Sequence, residues 1–126
     1  MNILIKNNST EPIYEQIYNQ IKEQIIKGIL KEGESLPSIR SLAQGLRISV
    51  ITTKRAYEEL TRDGYIETYL GKGSFVKVQN KELLKEECLK RIENNILNAC
   101  NEAHIYDVSL EELKELLIYL FKETEN

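Results

Sequence analysis

At 126 residues and a formal net charge of -3, the chain has room for one ordinary domain, or for a small domain with an appendage. Its 41 % hydrophobic and 29 % charged content is that of a globular protein, and no run comes near the ~18 consecutive apolar residues that span a bilayer. Met1 to Lys6 lack the apolar core and small-residue cleavage site of a secretory signal, and two cysteines cannot build a disulfide framework. The expectation is a cytoplasmic protein without a membrane partner.

Charge is not spread evenly. Residues 1–78 hold 11 Lys and Arg against 9 Asp and Glu, whereas residues 79–126 hold 6 against 11. Such asymmetry predicts two parts with different tasks.

In chain order, Ile3 and Ile5 alternate like a brief strand, and Asn7 to Thr10 look like a loop without function. Pro12 then opens a helix, where a missing N–H does no harm. Ile13, Ile17, Ile21 and Ile25 form its apolar stripe, and Gly28 is the stop signal. Residues 28–37 are punctuated by Gly and Pro and predict an exposed connection with at most a short strand. Ser38 is a good N-cap for a second helix, on which Ile39, Leu42, Ala43 and Leu46 share one face. Gly45 to Ile48 should make a tight turn, after which Ser49 caps a third helix from Val50 to Arg62.

In the third helix the spacing buries Thr53, Ala56 or Tyr57, and Leu60, leaving Val50, Ile51, Lys54 and Glu58 outside. From Ser35 to Tyr57 there is no Asp or Glu, yet Arg40, Arg47, Lys54 and Arg55 all lie there. That acid-free basic stretch fits a surface facing the phosphate backbone of DNA. Two branched apolar residues in the exposed first turn suit either a neighbouring segment or a thymine methyl in the major groove.

Tyr65 to Tyr69 and Ser74 to Val78 alternate as strands around Leu70-Gly-Lys-Gly73, a hairpin signal with a positive tip. A long helix follows from Lys81 to about His104, with Leu89, Ile92, Ile96, Ala99 and Ala103 along a seam. After a break, Ser109-Leu-Glu-Glu112 matches a capping box for a last helix carrying Leu113, Leu116, Leu117, Leu120 and Phe121. Two helices of this size barely bury their apolar faces alone, so a second copy of the chain is the expected partner.

These residues carry a resemblance. Gly28-x-Leu-x-x-Gly33-x-x-Leu-Pro-Ser-x-Arg40-x-Leu-Ala, then Ile-Ser49-x-x-Thr52-x-x-Arg-Ala-Tyr57-x-x-Leu, then Gly64-Tyr-Ile and Gly71-Lys-Gly-Ser-Phe-Val76, are similar to the winged helix-turn-helix of GntR-type bacterial transcription regulators. The tail resembles the short-tailed YtrA subfamily, in which two C-terminal helices dimerise the protein. The resemblance implies a mainly α fold with a small β-hairpin: a winged helix-turn-helix domain over 1–78 and a helical dimerisation segment over 79–126. It implies a homodimer that binds double-stranded DNA at an inverted repeat, acts as a repressor, and controls a transporter operon. No cofactor or metal is expected, and the residues leave open whether a small effector binds at the dimer interface.

Carried over position by position, Arg40, Ser49, Thr52, Lys54 and the wing from Gly71 match the family's DNA-contacting residues. Many relatives have an arginine where this chain has Val50, so a guanine-reading side chain is missing there. With the neighbours of these positions, the expected contact set is Ser38, Arg40, Ser49, Val50, Ile51, Thr52, Lys54, Arg55, Gly71, Lys72 and Gly73.

An enzyme is not expected. His104 is the one histidine, and no catalytic arrangement surrounds it. Cys88 and Cys100 stand about 18 Å apart along a helix and cannot share an ion within one chain. A winged helix that binds protein instead of DNA is the alternative reading, since the fold alone permits it.

Overall fold

The computed structural model describes residues 1–125. In chain order it contains α1 (Ile13–Ile26), α2 (Ile39–Leu46), α3 (Val50–Arg62), β1 (Ile66–Tyr69), β2 (Gly73–Val76), α4 (Lys81–Ile105) and α5 (Leu110–Glu123). Contacts group these elements into two compact units, Met1–Lys81 and the remainder from Glu82.

The first unit is built around α3, which packs on α1 and on α2. Ile17 and Ile21 of α1 meet Thr53, Ala56, Tyr57 and Leu60 of α3 in a core closed by Leu42, Ala43, Ile66 and Val76. Both Ala56 and Tyr57 are buried, where the spacing had offered them as alternatives. Thr53 is the polar exception, and its hydroxyl donates to the Ser49 carbonyl at 3.1 Å, so burial leaves no unpaired donor. Pro12 sits one place earlier than expected, as the N-cap of α1 and not as its first helical residue.

The turn between α2 and α3 departs from expectation in an instructive way. Gly45 stays inside α2, and the left-handed residue is Arg47 at φ 57° and ψ 47°. The Ile48 N–H reaches back to the Ala43 carbonyl at 3.0 Å, closing the turn around a residue that carries a side chain. A non-glycine residue is strained in this region.

Strand β1 pairs antiparallel with β2 in the register Ile66↔Val76, Glu67↔Phe75, Thr68↔Ser74 and Tyr69↔Gly73. The far edge of β2 is also occupied: Gly33 N–H donates to the Val76 carbonyl at 2.8 Å, and Leu36 N–H to the Ser74 carbonyl at 2.9 Å. The connection before α2 therefore acts as a third strand in all but length, bridged at Ser35 and Phe75. The Tyr57 hydroxyl donates to the Pro37 carbonyl at 2.7 Å and fixes where α2 begins.

The N-terminal segment, where no function was expected, is held in place by a ladder of glutamines on α1. Gln20 accepts from the Leu4 N–H at 2.8 Å and donates to its carbonyl at 2.7 Å. Gln16 does the same with Lys6, at 2.8 and 3.0 Å. The geometry is general: four helical residues rise about 6.0 Å, and two extended residues rise about 6.6 Å, so side-chain amides at i and i+4 meet alternate peptide groups. Gln24 adds half a rung, donating to the Asn2 carbonyl at 2.7 Å while its buried Oε1 has no hydrogen-bond partner among the described residues.

In the second unit, α4 continues to Ile105, one residue past the expected end, and Asp107 takes the left-handed conformation at φ 56° between the helices. Ser109 and Glu112 form the capping box, each side chain bonded to the other's backbone N–H at 3.1 Å. Of α4 and α5 together only Ala103 is buried. Cys88 and Cys100 are free and partly exposed.

Candidate nucleic-acid interface

Two helix N-termini carry most of the expected contact residues. At the start of α2, the Ser38 hydroxyl accepts from the Ser41 N–H at 3.1 Å. This cap leaves the N–H groups of Ile39 and Arg40 outside the helical ladder, and the exposed Arg40 side chain stands beside them. At the start of α3, Ser49 accepts from the Thr52 N–H at 3.0 Å and donates to the Thr52 hydroxyl at 2.7 Å. Since Ser49 supplies the proton of that contact, the hydrogen of Thr52 is left to reach an outside acceptor. Free N–H groups and the positive end of the helix dipole both favour an anion at such places.

Val50 and Ile51 fill the first turn of α3 and are 42 % and 81 % exposed, so neither packs on a neighbouring segment to any great extent. Lys54 follows one turn later on the same exposed side. Among the described residues, Arg40, Arg47, Lys54 and Lys72 take part in none of the ion pairs.

The other cations of this region are committed. The guanidinium of Arg55 lies 3.7 Å from the centre of the Tyr14 ring on α1, a cation–π contact that turns it toward α1 while the residue stays exposed. Arg62 is shared between Glu59 at 3.7 Å and Asp63 at 3.4 Å. Asp63 also accepts the Tyr18 hydroxyl, and that hydrogen bond holds its carboxyl below the usual range against a smaller opposing effect of burial. Burial, helped by the same bond, pushes the Tyr18 phenol up. The basic stretch therefore divides into cations without a partner in the ion pairs above and one, Arg55, that ties α3 to α1.

The wing is a four-residue turn closed by the Lys72 N–H to the Tyr69 carbonyl at 2.9 Å. Leu70 and Gly71 occupy its centre, and Gly71 has φ +77°, the backbone of a type II turn, which a side chain would strain. Gly73 is also left-handed at φ +96°. Between the hairpin and the outer side of α3 runs an open groove of about 470 Å³, lined by Ile39, Lys54, Tyr57, Glu58 and Thr68 among others. The structure thus places Lys54 on the groove wall and Lys72 at the tip beyond it.

One residue stands out that the spacing argument did not select. Leu70 at the wing tip is fully exposed at 103 %. A leucine inside a turn otherwise made of Gly and Lys was the signal for it.

Among the described residues no group of His, Cys, Asp and Glu could hold a metal ion, and no helix is long and apolar enough to cross a membrane.

Comparison with known proteins agrees with this architecture. Residues 13–76 match the family described as bacterial regulatory proteins, gntR family. The HTH-type transcriptional repressor YtrA of Bacillus subtilis (strain 168) is 41 % identical over 113 residues, which is 90 % of this chain and 87 % of the relative. A transcriptional antiterminator from Listeria monocytogenes EGD-e has a similar structure, with a TM-score of 0.71 at 34 % identity, covering 95 % of this chain and 90 % of that one. YtrA from Sulfolobus acidocaldarius, a GntR-family transcription factor, gives a TM-score of 0.60 at 37 % identity, covering 73 % and 97 %. With the winged helix-turn-helix in place and its outward cations unpaired, the chain belongs to the gntR family of bacterial regulatory proteins, as a DNA-binding transcription regulator and not an enzyme.

Proposed function

We propose that this protein is a homodimeric repressor that binds an inverted repeat in the cytoplasm and controls a transporter operon. Repression is carried over from the name of the Bacillus subtilis relative, and the transporter operon from resemblance to the YtrA group. The observation that carries the reading is the first turn of α3, where exposed Val50 and Ile51 stand between unpaired Arg40 and Lys54.

In this reading α3 lies in the major groove. Arg40, Ser38, Ser49, Thr52 and Lys54 hold the flanking phosphates, and Val50 and Ile51 touch base methyls. Gly71, Lys72 and Gly73 follow the backbone into the minor groove. Phosphate contacts contribute affinity and register, and the few base contacts contribute sequence choice. Arg55 belongs to the fold in this scheme, because its guanidinium is occupied by Tyr14.

The second copy is supported by the apolar face of the last two helices. Leu89, Ile92 and Ile96 on α4, with Leu116, Leu117, Leu120 and Phe121 on α5, are each 44 % exposed or more. So many exposed apolar side chains on a short segment favour a partner over water. A two-fold dimer would present its reading helices roughly 10 bp apart, or a multiple of that.

Two measurements test this together: a mobility shift on DNA upstream of the chain's own operon, and sedimentation of the free protein. A retarded duplex and a dimer mass are expected. Absence of a shift at low salt would sink the DNA reading, and a monomer at micromolar concentration would sink the dimer.

A further inference from the structure

Resting on the DNA reading above, we propose that Leu70 is a wedge that enters the minor groove, partly unstacks one base step and bends the operator.

The side chain is fully exposed, at the extreme of a turn whose flanking residues are hydrogen-bonded. Tyr69 before it is pinned: its hydroxyl donates to Glu67 at 2.8 Å, and its ring lies 6.0 Å from that of Phe75. The strand behind the turn is paired on both edges, by β1 and by the segment before α2. Leu70 is therefore presented at the end of a paired hairpin, fully exposed to solvent.

Position and charge point to the same occupant. The groove between the hairpin and α3 separates the wing from the reading helix, and two cations, Lys54 and Arg62, line it beside one carboxylate, Glu58. In a duplex, one sugar–phosphate strand separates the major groove from the minor. A strand seated in this protein groove, with α3 in the major groove, brings the turn to the minor groove. Lys72, two residues from Leu70 and free of ion pairs among the described residues, then meets phosphate. Apolar side chains pushed between base steps from the minor groove kink DNA toward the major groove.

A wedge also adds sequence choice at a position that no hydrogen bond reads. Pyrimidine–purine steps unstack most readily, so a TA or CA/TG step is expected under the turn. This would supplement a recognition helix whose first turn offers methyl contacts and no guanine-reading arginine.

The test uses the full chain and the variants Leu70→Ala and Leu70→Gln, which disturb no packing because the side chain is in solvent. Duplexes are selected from random sequence by the wild-type protein. Bending is read by energy transfer between end labels, and unstacking by 2-aminopurine placed in turn at steps flanking the α3 footprint. Wild type should bend the duplex by about 20° or more and brighten 2-aminopurine at one step per half-site. Both variants should still bind with the wild-type salt slope but lose at least half the bend, the brightening and the step preference. Variants that bend like wild type, or a wild type that binds straight DNA, overturn the wedge and leave the DNA reading standing. A wild type that binds no duplex overturns both.

Discussion

Arg55 is stacked on Tyr14, its guanidinium carbon 3.7 Å from the ring centre, so a cation from the basic stretch serves the α1–α3 interface. By sequence it belonged with the DNA contacts, and in the structure its guanidinium lies over the Tyr14 ring. Arg55→Ala should lower the urea midpoint of unfolding and leave the salt slope of DNA binding at the wild-type value. A slope reduced by a whole unit would return Arg55 to the phosphate contacts.

Arg40 and Lys54 are expected to behave in the opposite way. Each phosphate neutralised contributes about 0.9 to the slope of log K against log salt. Arg40→Ala and Lys54→Ala should each flatten that slope by about one unit, weaken binding to all sequences alike, and leave stability within about 0.5 kcal/mol of wild type. Fluorescence-anisotropy titrations across salt concentrations give both numbers, and an unchanged slope rules out the phosphate role.

Val50 and Ile51 should be felt in sequence preference. Replacing thymine by uracil in a half-site removes only the methyl group. A methyl buried against these side chains is worth about 0.8 kcal/mol, or roughly fourfold in affinity. The loss should appear at thymines under the first turn of α3 and disappear in a Val50→Ala, Ile51→Ala double variant. Equal affinity for both duplexes would rule out methyl reading.

The glutamine ladder predicts a stability effect far from the DNA-facing surface. Gln16 is buried, and its amide also donates to the Glu11 carbonyl at 2.8 Å. Gln16→Ala strands these peptide groups and should cost about 1–3 kcal/mol. Hydrogen exchange at the Lys6 amide, whose N–H Gln16 accepts, should rise in the same variant. Protection that stays at the wild-type level would mean that the ladder is not what holds the segment.

Asp63 and Tyr18 give the protein an acid-sensitive clamp between α3 and α1. The folded-state carboxyl is held below its ordinary value, chiefly by the Tyr18 hydrogen bond. Its contribution is therefore present above the ordinary carboxylate range and is lost as pH falls through the lowered value. Asp63→Asn should be less stable than wild type at pH 7, with the gap closing toward pH 3. Denaturation midpoints that run parallel across that range would contradict the clamp.

The local signals were legible in the sequence. Ser38, Ser49 and Ser109 cap the helices they were expected to cap, and Ile17, Ile21, Ile25, Thr53 and Leu60 are buried as their spacing implied. Caps and apolar periodicity act within a few residues, so the amino-acid order suffices to place them. The winged helix-turn-helix and its family followed from the same spacing. What depended on partners distant along the chain did not. The turn was expected over Gly45 to Ile48, and it lies there in part, but the left-handed residue is Arg47 and Gly45 stays helical. Nothing near Arg55 announces Tyr14, and nothing near Leu4 or Lys6 announces the amides of α1. So too with the acid-free stretch from Ser35 to Tyr57. The sequence established that it is basic, but only the tertiary structure decided which charges face outward, because that depends on which aromatic or carboxylate partners the folded chain brings within reach.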